Sequence, residues 1–368
     1  MTEHDAADVQ GLVTALRERV EVSPAPVHEV MRRGAARRTQ RRRALYGGLA
    51  AAVAASVLGI AAVTVTRGDD RVVTPAPPVG VPWWGDDRLH LDGKTISIGG
   101  VTQLVEVPGG VVVFALDRAV ERVDFVKGRS LVGKHWPPSG TSHVGRLLVD
   151  DSTGHLAWLS RSPKGRQTIQ VVELAASPGF RQVSTHEIDT AWPDAVQLRA
   201  FEDGVVYYDQ RDGGDRAWHI DTGEVDQLGT GASYVMDVEG DMMLTMRPDG
   251  SAYDLRAGGV VRWSTTVQAS SWQFSPDGRW LVGRQEAGVR LLDTLTGNEL
   301  VTGLPPGADV VAVSPRLDGT IMYAVGDTPD GPLDLVECNP DSATCETLLE
   351  DAASDPDIVL PEDLPPVS

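Results

Sequence analysis

Glycines that open a strand pair recur at a nearly fixed interval: Gly204 in FEDGVVYY, Gly240 in DVEGDMML, Gly278 in FSPDGRWL and Gly319 in RLDGTIMY, 36, 38 and 41 residues apart. Each sits between two short apolar runs, where a residue tolerant of positive φ reverses the chain. A second turn follows in each unit: HIDTGE, DLRAGG, LDTLTGN and CNPDSATC. The stretch from Trp272 to Leu304 reads as four short strands joined by three turns, with Trp280 and Val282 on one strand face and Leu281 on the other. Looser copies begin near VPGGVVVFAL and LVDDSTGHLAWL, so six units run from about residue 102 to 350. A repeat of roughly 40 residues with four strands covers its apolar faces only when the units stack, which predicts an all-β propeller.

An open array of blades leaves two bare sheet edges, so the ring must close. The text before the first unit, RLHLDGKTISIGG (88–100), alternates like strands but lacks a complete unit. Pairing these outer strands with an inner strand near Ile358 makes a seventh blade from both chain ends. Seven blades is the expectation and six the alternative, over a domain spanning 88–361.

The other strong constraint lies upstream. Residues 44–66 are 23 positions without a charge, and a helix of that length covers ~34 Å, enough for a hydrocarbon core. Arg32, Arg33, Arg37, Arg38, Arg41, Arg42 and Arg43 precede the run, whereas Asp69 and Asp70 follow it. Arginines beside a span stay on the cytoplasmic side. The expected topology is a single-pass cell-membrane protein with a cytoplasmic N-terminal segment (1–43) and an extracytoplasmic C-terminal domain. A cleaved secretory signal, or a twin-arginine signal using RRRALY, is the alternative; the arginines also suit contact with anionic lipid. Within the cytoplasmic segment Val9, Leu12, Val13, Leu16 and Val20 recur at helical spacing before Pro24 and Pro26. A helix this short needs a partner surface, so a cytoplasmic protein partner is expected. Residues 67–87 are proline-rich and read as a stalk, and 362–368 as an acidic, proline-containing tail.

Charge divides the chain. Residues 1–43 hold nine Arg and six acids, a net +3, against −19 overall, so residues 67–368 carry −22. Such a body repels phosphate backbones and excludes nucleic acid as its partner.

FSPDGRWLVG (274–283) resembles the repeat of WD40-like or TolB-like propellers, in which a Ser-Pro-Asp-Gly turn opens a strand; MRPDGSAYDL and VSPRLDGTIMYAV are weaker echoes. No Gly-His and Trp-Asp pair of true WD40 repeats is present. With the arginine cluster, the Ala-rich span and the stalk, the arrangement resembles membrane-anchored propeller proteins of actinobacteria, and the excess of Arg over Lys, 29 to 4, agrees with that. The resemblance implies architecture and no single activity.

Two cysteines, Cys338 and Cys345, flank a proline-containing turn on the expected oxidising side and are read as a disulfide. No G-x-S-x-G, H-E-x-x-H, P-loop or G-x-G-x-x-G motif occurs. The eight histidines, His135 and His143 among them, lack metal-ligand spacing, and DQRDGGD (209–215) lacks the ligand order of a calcium loop. No catalytic, cofactor-binding or metal residue is therefore assigned. The tryptophans are read as filler between blades, with Trp83 and Trp84, outside the repeats, seating the stalk or meeting the membrane interface.

Two functions follow. One is a non-enzymatic binding or scaffold module for an outside protein, peptide or envelope glycan, coupled to the cytoplasmic partner through the span. The other is an extracytoplasmic hydrolase or lyase using carboxylates gathered at the ring centre. A transmembrane regulator of anti-sigma type, lacking that family's zinc motif, is a further alternative.

Overall fold

The computed structural model describes residues 82–361, less 108–109, 116, 118, 125–127, 135–145, 151, 162–165, 175–179, 190–195, 211–213, 229–232, 286–287, 306, 317, 327, 329–330 and 354–357. The expected cytoplasmic helix, the apolar run 44–66, most of the stalk segment and the tail 362–368 lie outside the described residues. Among the described residues no helix is long and apolar enough to cross a membrane.

Seven antiparallel sheets follow one another along the chain. The first three strands, β1 (Trp83–Gly85), β2 (Arg88–Leu91) and β3 (Lys94–Ser97), form a three-stranded sheet. Six four-stranded sheets succeed it. They are β4 (Val101–Val107), β5 (Gly110–Ala115), β6 (Ala119–Asp124) and β7 (Gly128–Lys134); then β8 (Leu148–Asp150), β9 (His155–Arg161), β10 (Gln167–Leu174) and β11 (Phe180–Glu187); then β12 (Val196–Glu202), β13 (Val205–Gln210), β14 (Gly214–His219) and β15 (Val225–Gln227). The last three comprise β16 (Tyr234–Glu239), β17 (Met242–Met246), β18 (Tyr253–Ala257) and β19 (Val260–Thr265); β20 (Ser271–Phe274), β21 (Trp280–Gln285), β22 (Gly288–Asp293) and β23 (Glu299–Leu300); and β24 (Asp309–Pro315), β25 (Ile321–Gly326), β26 (Leu333–Asn339) and β27 (Thr344–Ala353). We number these six sheets blades 1 to 6.

The three-stranded sheet is completed from the far end of the chain. Trp84 N–H donates to Val359 O and Val359 N–H to Trp84 O, each at 2.9 Å, and Pro361 bridges Leu104 of blade 1 in parallel. The C-terminal segment is thus the inner strand of blade 7 and β1–β3 are its outer strands. The protein is a seven-bladed β-propeller, and the six-blade alternative is set aside because this last sheet closes the ring and removes both inner edges.

The stalk reading of 67–87 needs correction at its end, because Trp83–Gly85 is a strand. Asp86 and Asp87 both take positive φ (51° and 58°) between the paired Gly85 and Arg88, the two-residue hairpin geometry that matches strand twist. Adjacent residues of a strand face opposite ways. Trp83 accordingly packs into the blade 6–7 interface with Met322, Leu335 and Leu360, and Trp84 into the blade 7–1 interface with Leu89, Leu104 and Val113. Both indoles are buried, Trp84 Nε1–H donates to Ile98 O at 2.7 Å, and Trp83 stacks on His90 with ring centroids 3.7 Å apart. Buried in blade interfaces, they are not membrane-interface residues.

The core is distributed among the interfaces between blades. Separate clusters join blades 1 and 2 around Phe114 and Trp158, blades 2 and 3 around Ile169 and Trp218, and blades 5 and 6 around Val282 and Tyr323. Three tryptophans also stitch neighbours by hydrogen bonds: Trp158 Nε1–H to Lys134 O, Trp263 Nε1–H to Thr294 O and Trp280 Nε1–H to Gly319 O. The four repeat glycines all have positive φ, between 63° and 85°. In the Ser-Pro-Asp-Gly turn, Ser275 Oγ donates to Asp277 Oδ1 at 2.6 Å and accepts Trp280 N–H at 2.9 Å, while Gly278 N–H closes onto Ser275 O. Those residue types are what fold the turn.

Candidate functional site

The first strands of successive blades line the axis, and they carry polar side chains that sequence reading did not locate. Gln103 of β4 bridges to the start of blade 2: its Oε1 accepts Leu147 N–H at 2.7 Å and its Nε2 donates to Leu147 O at 3.1 Å. Arg146, just before β8, donates to Arg199 O of blade 3. Three carboxylates of these first strands, and Asp215 on the third strand of blade 3, do the same work in the direction of chain travel. Asp150 Oδ2 accepts Gly204 N–H of blade 3 at 2.6 Å, and Asp215 Oδ2 accepts Val235 N–H of blade 4. Glu202 Oε1 accepts Gly240 N–H of blade 4 at 3.2 Å, and Asp237 Oδ2 accepts Phe274 N–H of blade 5 at 2.7 Å. Each uses an acid of one blade to satisfy a backbone amide of the next, a charge-assisted bond of about 1.5–3 kcal/mol.

Glu202, Asp237 and Glu239 converge with Gln103, Arg146 and Gln273 on one cavity of about 80 Å³ at the axis, which Val105, Phe201, Val238 and Phe274 wall with apolar surface. Burial pushes the Asp237 carboxyl up to about 6, against the opposing pull of Arg146 and of the Phe274 and Val238 amides. Burial likewise lifts Asp215 to about 6, opposed by the Val235 amide.

The residues singled out from sequence fall elsewhere. Cys338 and Cys345 stand directly opposite on β26 and β27 with sulfurs 2.05 Å apart, forming a disulfide. A Cβ at Gly303 would lie 2.9 Å from Cys345 Sγ, so the bridge abuts the chain leaving blade 5. Asp209 and Asp215 face each other across the β13–β14 hairpin. Asp209 pairs with Arg199 at 3.4 Å and Asp215 holds Val235, so each acid of the pair has a protein partner; Asp212 lies outside the described residues. His135 and His143 also lie outside them. Burial pushes His90 down to about 4 and lowers His186, whose Nε2 is 3.2 Å from Tyr208 Oη. Among the described residues no three His, Cys, Asp or Glu side chains are placed to hold a metal ion.

No protein-family model matches the chain, and no curated protein matches it. Among solved structures it is similar to the WD40 β-propeller domain of Doa1, with 14% identity and a TM-score of 0.44, over 76% of this chain and 88% of that one. It is similar to TolB from Acinetobacter baumannii at 15% identity and a TM-score of 0.39, over 58% of each chain. It is also similar to the β-propeller domain of Myceliophteria thermophila Cps50 (Swd1), with 11% identity and a TM-score of 0.48, over 70% and 89%. The propeller assignment rests on the chain's own seven sheets and the pairing that closes them.

Proposed function

We propose that the chain is a membrane-anchored, extracytoplasmic propeller that works as a non-enzymatic binding module, tied through its span to a cytoplasmic protein partner of the N-terminal helix. The observation that carries the binding reading is the use of the axial acids. Glu202 and Asp237 each give an oxygen to an amide of the next blade, so groups that a hydrolase needs as acid, base or nucleophile are engaged in holding the ring. The cavity points the same way. At about 80 Å³ it is below the roughly 300–1,000 Å³ of ordinary substrate pockets. The arginine cluster and apolar run support the anchor, and the acidity of the body supports partners that are not nucleic acid.

The test is crosslinking in intact cells with identification of partners on each side of the membrane, repeated after deletion of residues 1–20. The reading expects an outside partner that survives the deletion and a cytoplasmic partner that is lost with it. Failure to capture any outside partner overturns it. Turnover of a glycoside or ester panel by the purified chain, abolished in Glu239→Gln, favours the hydrolase reading instead.

A further inference from the structure

Exposed apolar side chains gather at one corner of successive blades. Of the eight large hydrophobics exposed among the described residues, five stand at the entry to a fourth strand. Phe180 opens β11, Val225 opens β15, Val260 and Val261 open β19, and Leu295 lies in the turn before β23. Single exposed apolar residues are ordinary, but one position repeated over blades 2 to 5 makes an arc. Hydrogen bonds fix the face that carries it. In each of these blades the chain leaving the third strand donates to the turn between the first two: Leu174 N–H to Gly154 O, Ile220 N–H to Gly204 O, Gly258 N–H to Asp241 O and Thr294 N–H to Arg279 O. The arc therefore lies where the inner strands end.

The chain enters the ring on that same face. Gln103 and Leu147 meet at the starts of β4 and β8, so these inner strands point the same way. Pro361 runs parallel to β4, and Trp84 of β1 is antiparallel to Val359, so β1 starts where the inner strands end. Residues 67–82, which join β1 to the expected span, are 16 positions and reach at most ~58 Å. Because this tether leaves from the arc's own face, the arc meets the bilayer surface without the chain wrapping round the ring. Tethering raises the effective concentration, so a contact of a few side chains suffices. Exposed acids on the same turns, Asp203, Asp221, Glu224 and Asp241, repel anionic headgroups, so the contact is apolar and suits zwitterionic lipid.

We propose that the face of the ring bearing this arc rests on the bilayer, with Phe180, Val225, Val260, Val261 and Leu295 seated among zwitterionic headgroups. The proposal rests on the membrane-anchored reading and adds the orientation of the ring, which leaves the opposite face for the outside partner.

Nitroxide labelling of the full chain in phosphatidylcholine vesicles tests it. Val260→Cys and Leu295→Cys place labels on the arc. Leu228→Cys places one on the opposite face, since Leu228 is exposed at the far end of β15, where its N–H donates to Asp215 O. Cys338 and Cys345 are bonded to each other and take no label. Cooperative thermal unfolding checks that each variant is folded. With one chain per vesicle, the ratio of oxygen to nickel-chelate collisions should be roughly fivefold or more higher at both arc sites than at the Leu228→Cys site. Equal ratios at the three sites, arc ratios that rise only in crowded vesicles as a second copy would give, or a larger arc signal with phosphatidylglycerol than with phosphatidylcholine overturn the proposal. Chains that fail to float with the vesicles remove the anchor and the proposal together, whereas chains that float with equal ratios remove the proposal alone.

Discussion

Replacing Asp237 by Asn isolates the energetic cost of an acid at the ring axis. Asp237 is buried, 8% exposed as a residue, and its carboxyl pKa in the folded state is about 6 against an ordinary 3.8. A gap of roughly two units corresponds to about 3 kcal/mol. The sign follows from proton uptake. Because the folded state holds the proton more tightly, Asp237's contribution is full below pH 4, falls as pH rises from 4 to 6 and stays lost at pH 7. Asp215, raised in the same way, adds a slope of the same sign. Asp254 and Asp318, held below the usual range by hydrogen bonds and nearby arginines, add slopes of opposite sign at lower pH. A single wild-type profile therefore mixes several groups, and the difference between wild type and Asp237→Asn removes all but one. Urea unfolding at steps from pH 4 to 7 should show the difference changing by about 3 kcal/mol across that range, in favour of the variant at the upper end. Parallel profiles would refute the burial argument.

Other substitutions probe the ring and its turns. Leu360→Ala truncates a fully buried side chain in the blade 6–7 interface and should cost about 2–5 kcal/mol by urea titration. Gly278→Ala puts a side chain at φ 70° and 2.9 Å from Met242 Cε; a loss of about 1–2 kcal/mol in the same assay is expected from backbone strain. Reducing Cys338–Cys345 should destabilise by roughly 2–3 kcal/mol through the entropy of a short loop, read as a lower melting temperature with reductant and no change in Cys345→Ser.

How far the molecule was legible depended on the range of the interaction. Turn chemistry is local, so Gly204, Gly240, Gly278 and Gly319 gave away the blade period, and the Ser275 to Gly278 turn folds through bonds within six residues. Ring closure was legible from strand-like text at both ends that lacked partners. β1 was missed because it is three residues long and follows proline-rich text; the Asp86-Asp87 pair before alternating residues was the available signal, since aspartate tolerates positive φ. The axial lining was illegible for a different reason. Glu202 and Gly240, or Asp237 and Phe274, meet across blades after 38 and 37 residues, and an acid on an inner strand looks in sequence like any solvated acid. Only the ring brings Gln273 and Glu239 to the same cavity.

The pairing of the two chain ends is the feature on which the ring depends, and amide hydrogen exchange reads it directly. Protection at Val359 and Trp84 should match that of Val113 in the core of blade 1, with both opening only in global unfolding. Exchange at Val359 as fast as in a free peptide, with Val113 still protected, would mean that the ring is not closed by its ends.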